Sequence, residues 1–281
     1  NWYPQQSLKS RKDRQHYDAM EFAAQLASRA AQAFFEYTPL LPQASGERRV
    51  YRKFSRGPLL DLFVLDLRSY RGPNSTNQQP EIDTQSAILG PEQIAWLKYS
   101  LSHSRAIWKV ICSDMPLAIA VGDSMEGRNY YEAIANSDPG KPLGRELDMA
   151  DLLGFIKRVA IENIVWLTAD VHYAAAHYYD PKRAAIPDSF SPFWEFVAGP
   201  LHAGSFGPNA LDGTFGPEVK FQFAPPTGSK LPLAPSQGRQ SFGTVRVDAR
   251  TKQLTVELRG LDGQVLDGGA FTLEASIRKR S

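Results

Sequence analysis

The sequence predicts an α/β fold, and three observations carry that prediction. Short apolar runs end abruptly in polar residues, helix-spaced segments stand between them, and the C-terminal part alternates apolar with polar side chains. At about 150 residues per domain, 281 residues correspond to two domains or one large one. With 42% hydrophobic and 22% charged residues the chain has the composition of an ordinary folded protein, which sets aside collagen-like, coiled-coil and disordered classes.

The elements follow in order. From Asp18 to Tyr37, Met20, Ala23, Ala27, Ala30 and Phe34 recur at three- and four-residue steps before Pro39, which predicts a packing helix. Asp61 to Leu67 is a compact apolar run between Gly57-Pro58 and Arg68-Ser69-Tyr70-Arg71-Gly72-Pro73, the pattern of a buried strand with polar residues at its C-terminal end. A polar loop from Asn74 to Thr84 leads to Gly90-Pro91-Glu92, which opens a helix with Ile94, Leu97 and Leu101 in register. Ala106 to Cys112 is a second buried strand. After a loop from Gly122 to Gly144 come a helix near 146–160 and a third strand, Asn163 to Thr168.

Beyond Asp188 the pattern changes. Pro and Gly crowd 192–238, broken by apolar pieces such as Trp194 to Ala198, so this stretch reads as loop covering a site. Phe242 to Asp248 and Gln253 to Arg259 alternate across a short turn, and 263–273 adds a further strand, an antiparallel closure of the chain.

Charge and composition narrow the partners. Thirty-two Lys+Arg against thirty Asp+Glu leave a net charge of +2, too little to mark a nucleic-acid surface. No run approaches the 18 or so apolar residues of a membrane span. The lone Cys112 makes no intramolecular disulfide and reads as a small buried hydrophobe. Serine-hydrolase elbows, phosphate-binding Walker loops, dinucleotide fingerprints and Cys-x-x-Cys pairs are missing.

The strongest local signal is Leu167-Thr168-Ala169-Asp170-Val171-His172, where a buried strand runs into an Asp-x-His pair at the carboxyl edge of the sheet, the edge at which open α/β proteins bind ligands. In an extended chain the two side chains project to one side and reach a common Zn, Fe, Mn or Ca ion. The competing reading has Asp170 capping a turn and His172 bonding to a loop. Asp114 follows the second strand and Arg68 and Arg71 follow the first, so three strands deliver polar residues to one rim. A guanidinium fork at Arg68 or Arg71 suits a phosphate, and equally an internal salt bridge to Asp66 or another acid. His202, in Gly199-Pro200-Leu201-His202-Ala203-Gly204, is either a ligand contact or part of a surface loop. His16 and His103 read as surface or capping residues. His177, in an aromatic stretch that suits a strand, keeps an open role.

Four blocks together resemble the PhoD-like alkaline phosphatase family: Phe63-Val64-Leu65-Asp66-Leu67-Arg68-Ser69-Tyr70-Arg71, Leu89-Gly90-Pro91-Glu92-Gln93-Ile94-Ala95-Trp96-Leu97, Trp166 to His172, and Phe193-Trp194-Glu195-Phe196-Val197-Ala198-Gly199-Pro200-Leu201. The resemblance spans nearly the whole chain. It implies a calcineurin-like metallophosphatase, an αββα sandwich of two sheets with flanking helices, and a multi-metal centre at the strand ends. Asp170 and His172 match the family's late metal-ligand motif; Arg68, Arg71 and His202 are the candidate substrate contacts. Ca and Fe are the implied metals, with Zn or Mn as alternatives.

The implied reaction is hydrolysis of phosphate monoesters or diesters by an exported, periplasmic or secreted, monomeric enzyme acting on small molecules. Two positions depart from the pattern: Ala169 stands where Gly is common, and His202 where Asn is expected. The family's Asp-Asp-His-Glu motif precedes the residues that Asn1-Trp2 resemble. The expectation is therefore one domain over 1–281, truncated at its N-terminal side, with 240–275 as antiparallel strands of that domain. A segment so truncated is expected to bind metal weakly and turn over little. The alternative is a non-catalytic phosphate- or partner-binding module on the same scaffold.

Overall fold

The computed structural model describes residues 2–9, 20–40, 48–123 and 129–276. His16 and the basic tail 278–280 lie outside the described residues. The elements run α1 (Ala23–Tyr37), β1 (Arg52–Arg56), β2 (Leu60–Val64), α2 (Pro91–Ser102), β3 (Trp108–Cys112), α3 (Glu146–Arg158), β4 (Ile164–Thr168), β5 (Ala174–Tyr179), β6 (Phe193–Val197), β7 (Pro217–Phe223), β8 (Ser241–Val247), β9 (Leu254–Gly260) and β10 (Val265–Leu273).

Among the described residues ten strands form two sheets. The larger has the order β1-β2-β3-β4-β6-β5-β7, and the smaller is the antiparallel meander β10-β9-β8. Strands β2, β3, β4 and β6 are parallel neighbours, which explains their nearly continuous apolar sequences: both faces are covered. One face carries Phe63, Ile111, Trp166 and Phe193 against Leu97 and Leu101 of α2 and Met149, Leu152 and Ile156 of α3. The other carries Trp108, Val110, Val165 and Phe196 against Leu254 and Val256 of β9. Two stacked sheets with helices outside the larger one make the mixed α/β architecture expected from the strand–helix alternation.

β6 was not foreseen as a strand, only as an apolar piece within the stretch read as loop, and neither were β1 (Arg-Lys-Phe-Ser-Arg) and β7, the latter also in that stretch. β1 and β7 lie at the ends of the larger sheet, where an edge needs no apolar run and tolerates charge. The helix predicted from Asp18 is described from Ala23, and it buries only Ala23 and Phe35. In α2, Gly90 takes a φ of 74° just before Pro91 at the first helical position. In α3, Lys157 and Arg158 stand in the last turn, where the helix dipole favours positive charge. Cys112 is a free, partly buried thiol pushed up to about 11 by burial, so it stays protonated at neutral pH.

Candidate active-site rim

Because β2, β3 and β4 run parallel, their C-terminal ends open side by side, and the residues just past them form one rim. Past β2, the backbone turns around Asp66. Its Oδ1 accepts hydrogen bonds from Arg68 N–H at 3.0 Å and Ser69 N–H at 2.8 Å. Fully buried Gln93 holds the same residue from behind: Asp66 N–H donates to its Oε1 at 2.8 Å, and its Nε2 donates to Asp66 O at 2.9 Å. Past β3, Asp114 Oδ2 accepts Leu67 N–H at 2.9 Å, tying the two strand ends together. Burial raises the Asp114 pKa, the Leu67 hydrogen bond opposes it, and the carboxylates of Asp66 and Asp170 add to the rise.

The two arginines take different places. Arg68 reaches the rim and bonds to Glu132 Oε2 at 3.2 Å, so the internal ion pair is made, with Glu132 rather than Asp66. Arg71 is 1% exposed, and its NH2 group donates to Asn74 Oδ1. Burial lowers its pKa to about 10, with Arg68 adding to the fall. A guanidinium buried this deeply does not present a fork to a ligand at the surface. The same Asn74 oxygen also accepts from NH2 of Arg145 at 3.3 Å, and NH1 of Arg145 donates to Tyr131 O and Ala133 O at 2.8 and 3.0 Å. Arg145 therefore fastens the loop carrying Glu132 to the loop that follows β2.

Past β4 the chain departs from the extended path expected of the Asp-x-His segment. Asp170 and His172 both adopt positive φ, 75° and 62°, and Val171 N–H donates to Ala169 O at 3.0 Å. The tight turn buries Val171 among Ile119, Tyr173, Ala175 and Val197, and leaves its two neighbours on the open side of the rim. The pair is thus displayed by a left-handed turn and not by strand alternation. Protein around the Asp170 carboxyl raises its pKa, Glu132 adds to this, and Arg68 and His172 oppose it. Electrostatic reach thus links Asp170 to Arg68, Glu132 and His172, and through Asp114 to the other two strand ends.

His172 Nδ1–H donates to Gly204 O at 2.5 Å, and its ring stacks on Phe206 at 4.3 Å. The loop contact foreseen for this residue is made, and it fixes the tautomer so that Nε2 keeps its lone pair, the form a metal-ligating imidazole requires. The Asp170 carboxylate and His172 Nε2 are thus two donor atoms of metal-ligand type on one turn. Among the described residues no group of three His, Cys, Asp or Glu side chains is arranged to hold an ion.

The other histidines are elsewhere. His202 is exposed in the loop before Gly204. His103 caps α2, with Nδ1 at 2.8 Å from Tyr99 O. His177, in β5, bonds to Glu195 Oε2 at 3.0 Å inside the sheet, where Glu195 also accepts from Tyr179 Oη at 2.7 Å and Leu117 N–H at 2.8 Å. Sequence reasoning missed Glu132, Asn74 and Arg145, which lie in stretches with no periodicity. It also missed Glu195, although a lone acid within Phe193–Val197 is a visible signal of a buried polar contact.

A two-sheet α/β sandwich with carboxylates and an imidazole at the parallel strand ends is a metallophosphatase-type fold. A family model described as PhoD-like phosphatase matches residues 1–258, so the chain belongs to the PhoD-like phosphatase family. It is 33% identical over 153 residues to alkaline phosphatase D of Bacillus subtilis (strain 168), a match covering 51% of this chain and 25% of that protein. A solved structure of PhoD superimposes with a TM-score of 0.54 at 20% identity, covering 88% of this chain and 49% of that one. A purple acid phosphatase from yellow lupin (Lupinus luteus) seeds gives 0.43 at 15% identity over 84% of this chain and 34% of its own. The chain thus spans half or less of the proteins it matches.

Proposed function

We propose that the chain takes part in metal-dependent hydrolysis of phosphate monoesters or diesters, with Asp170 and His172 as two metal ligands and Arg68 as the contact for an anionic oxygen. The observation that carries this reading is His172, whose Nδ1–H is committed to Gly204 O beside the Asp170 carboxyl. A bound divalent or trivalent ion would polarise the phosphoryl group and activate water. Ca and Fe are the metals proposed, Zn or Mn the alternatives, and export to the periplasm or medium belongs to the same reading. Arg68, half engaged by Glu132, has donors left for a phosphoryl oxygen. No described helix is long and apolar enough to cross a membrane.

Because two donors do not fill a coordination sphere, the proposal is that this chain by itself turns over slowly. The test is p-nitrophenyl phosphate hydrolysis with added Ca, Fe or Zn. Slow, metal-dependent turnover that Asp170→Asn and His172→Ala both remove supports the reading. Turnover indifferent to both substitutions contradicts it. The alternative of a non-catalytic phosphate-binding module is favoured by the lack of a three-donor group among the described residues. It predicts phosphate binding that survives both substitutions and falls with Arg68→Met.

A further inference from the structure

A groove of about 590 Å³ runs between α1 and the rim. Its two ends differ in chemistry. Asp66, Arg68, Ser69 and Asp114 lie at the rim end, and these are residues of the candidate site. The remaining lining is almost wholly apolar, with Leu26, Ala27 and Phe34 of α1 facing Trp2, Leu8 and Leu65. Leu26 and Phe34 stay 36% and 39% exposed, so the helix stands over the groove without filling it. The volume falls within the few hundred to one thousand Å³ of small-molecule sites, which pair mostly apolar walls with a few polar groups.

We infer that this groove holds the alcohol portion of the phosphoester, and that the chain prefers substrates whose alcohol is aromatic or branched aliphatic. The inference rests on the phosphoester reading above and adds the class of leaving group. Its basis is continuity: Arg68 and Asp114 belong both to the rim that faces Asp170 and to the floor of the groove, so an ester anchored by its phosphoryl group at Arg68 has its alcohol beside the apolar wall. A polar alcohol such as glycerol gains nothing from Leu26, Phe34 or Trp2, whereas a ring displaces water from them.

Equilibrium binding to the intact chain tests this with 1-naphthyl phosphate, 1-naphthol and glycerol phosphate as probes. The expected result is that 1-naphthyl phosphate binds about tenfold or more tightly than glycerol phosphate. Ala27→Trp, which fills the groove from a half-exposed helix position, abolishes that margin, and Phe34→Ala, which only removes part of the wall, narrows it. Equal binding of the two phosphates, or a margin untouched by both substitutions, overturns the groove assignment and leaves the phosphoester reading standing. If 1-naphthol binds as tightly as its phosphate and Ala27→Trp removes both, the groove is apolar but nothing at its floor recognises phosphate. In that case the phosphoester reading fails, and the leaving-group assignment fails with it.

Discussion

The rim past β2 and the rim past β4 solve the same problem in opposite ways. Around Asp66 the backbone is fixed by its own carboxylate, by the Gln93 amide and by the Asp114 carboxylate, every one through hydrogen bonds shorter than or near 3 Å. Around Asp170 the backbone carries two residues at positive φ, and the Asp170 side chain accepts no hydrogen bond among the described residues. His172 alone is braced, by Gly204 O and the Phe206 ring. The motif most visible in sequence therefore sits on the less supported turn. Positive φ at two non-glycine residues is a local cost to the backbone, and the proposed joint role of Asp170 and His172 gives it a reason.

The largest expected effect lies away from both turns, at the start of α3. Glu146 is 1% exposed there, and burial together with Asp212 raises its pKa to about 8, partly offset by hydrogen bonds from Leu143 N–H and Asn136. A carboxyl that holds its proton more tightly folded than unfolded favours the folded state fully below about pH 4.5 and loses that contribution as pH rises through about 8. Glu146→Gln removes the loss, so it stabilises the protein by up to about 4 kcal/mol at pH 9 and little at pH 4. Urea denaturation at the two pH values measures this, and a variant with the parental pH slope contradicts it.

Breaking the brace itself comes next. Gln93→Leu leaves Asp66 N–H, Asp66 O and part of the Leu89 carbonyl's bonding unmet in a buried site, at a cost of about 3 kcal/mol. A melting temperature within a degree or so of the parent would show that the rim past β2 is not held from α2. On the other side the sign reverses. Asp170→Gly relieves a positive φ and removes a carboxyl raised by its surroundings, so it stabilises by about 1 kcal/mol while removing a proposed metal ligand. Phe206→Ala forfeits the ring stack on His172, about 0.5–1.5 kcal/mol, read in the same melts.

How much of this was legible follows from what leaves a periodic trace. β2, β3, β4, α2 and α3 were readable because burial on both sheet faces and one helix face writes itself as apolar runs and three-to-four-residue spacing. β8, β9 and β10 were readable from alternation, with Leu254, Val256 and Leu258 inward and Thr255, Glu257 and Arg259 outward. β1 and β7 left no such trace because edge strands bury little, and β6 left only a five-residue apolar piece among the Pro and Gly of a stretch read as loop. In the site, Asp170, His172 and the rim placement of Arg68 and Asp114 came from position at strand ends. The turn that displays Asp170 and His172 did not, since nothing in Ala-Asp-Val-His prescribes positive φ at two non-glycine residues. Arg71 was misplaced for a related reason: Arg-Ser-Tyr-Arg gives no hint that its second guanidinium turns inward to Asn74.

Whether Asp170 and His172 hold one ion together is decided by diffraction from crystals of this chain soaked in a zinc salt, with data collected at the zinc absorption edge. One anomalous peak shared by the Asp170 carboxylate and His172 Nε2, at about 2.0–2.2 Å from each, is the expected result. A peak bound to only one of them, or none at saturating zinc with His172 Nδ1 still on Gly204 O, would contradict it.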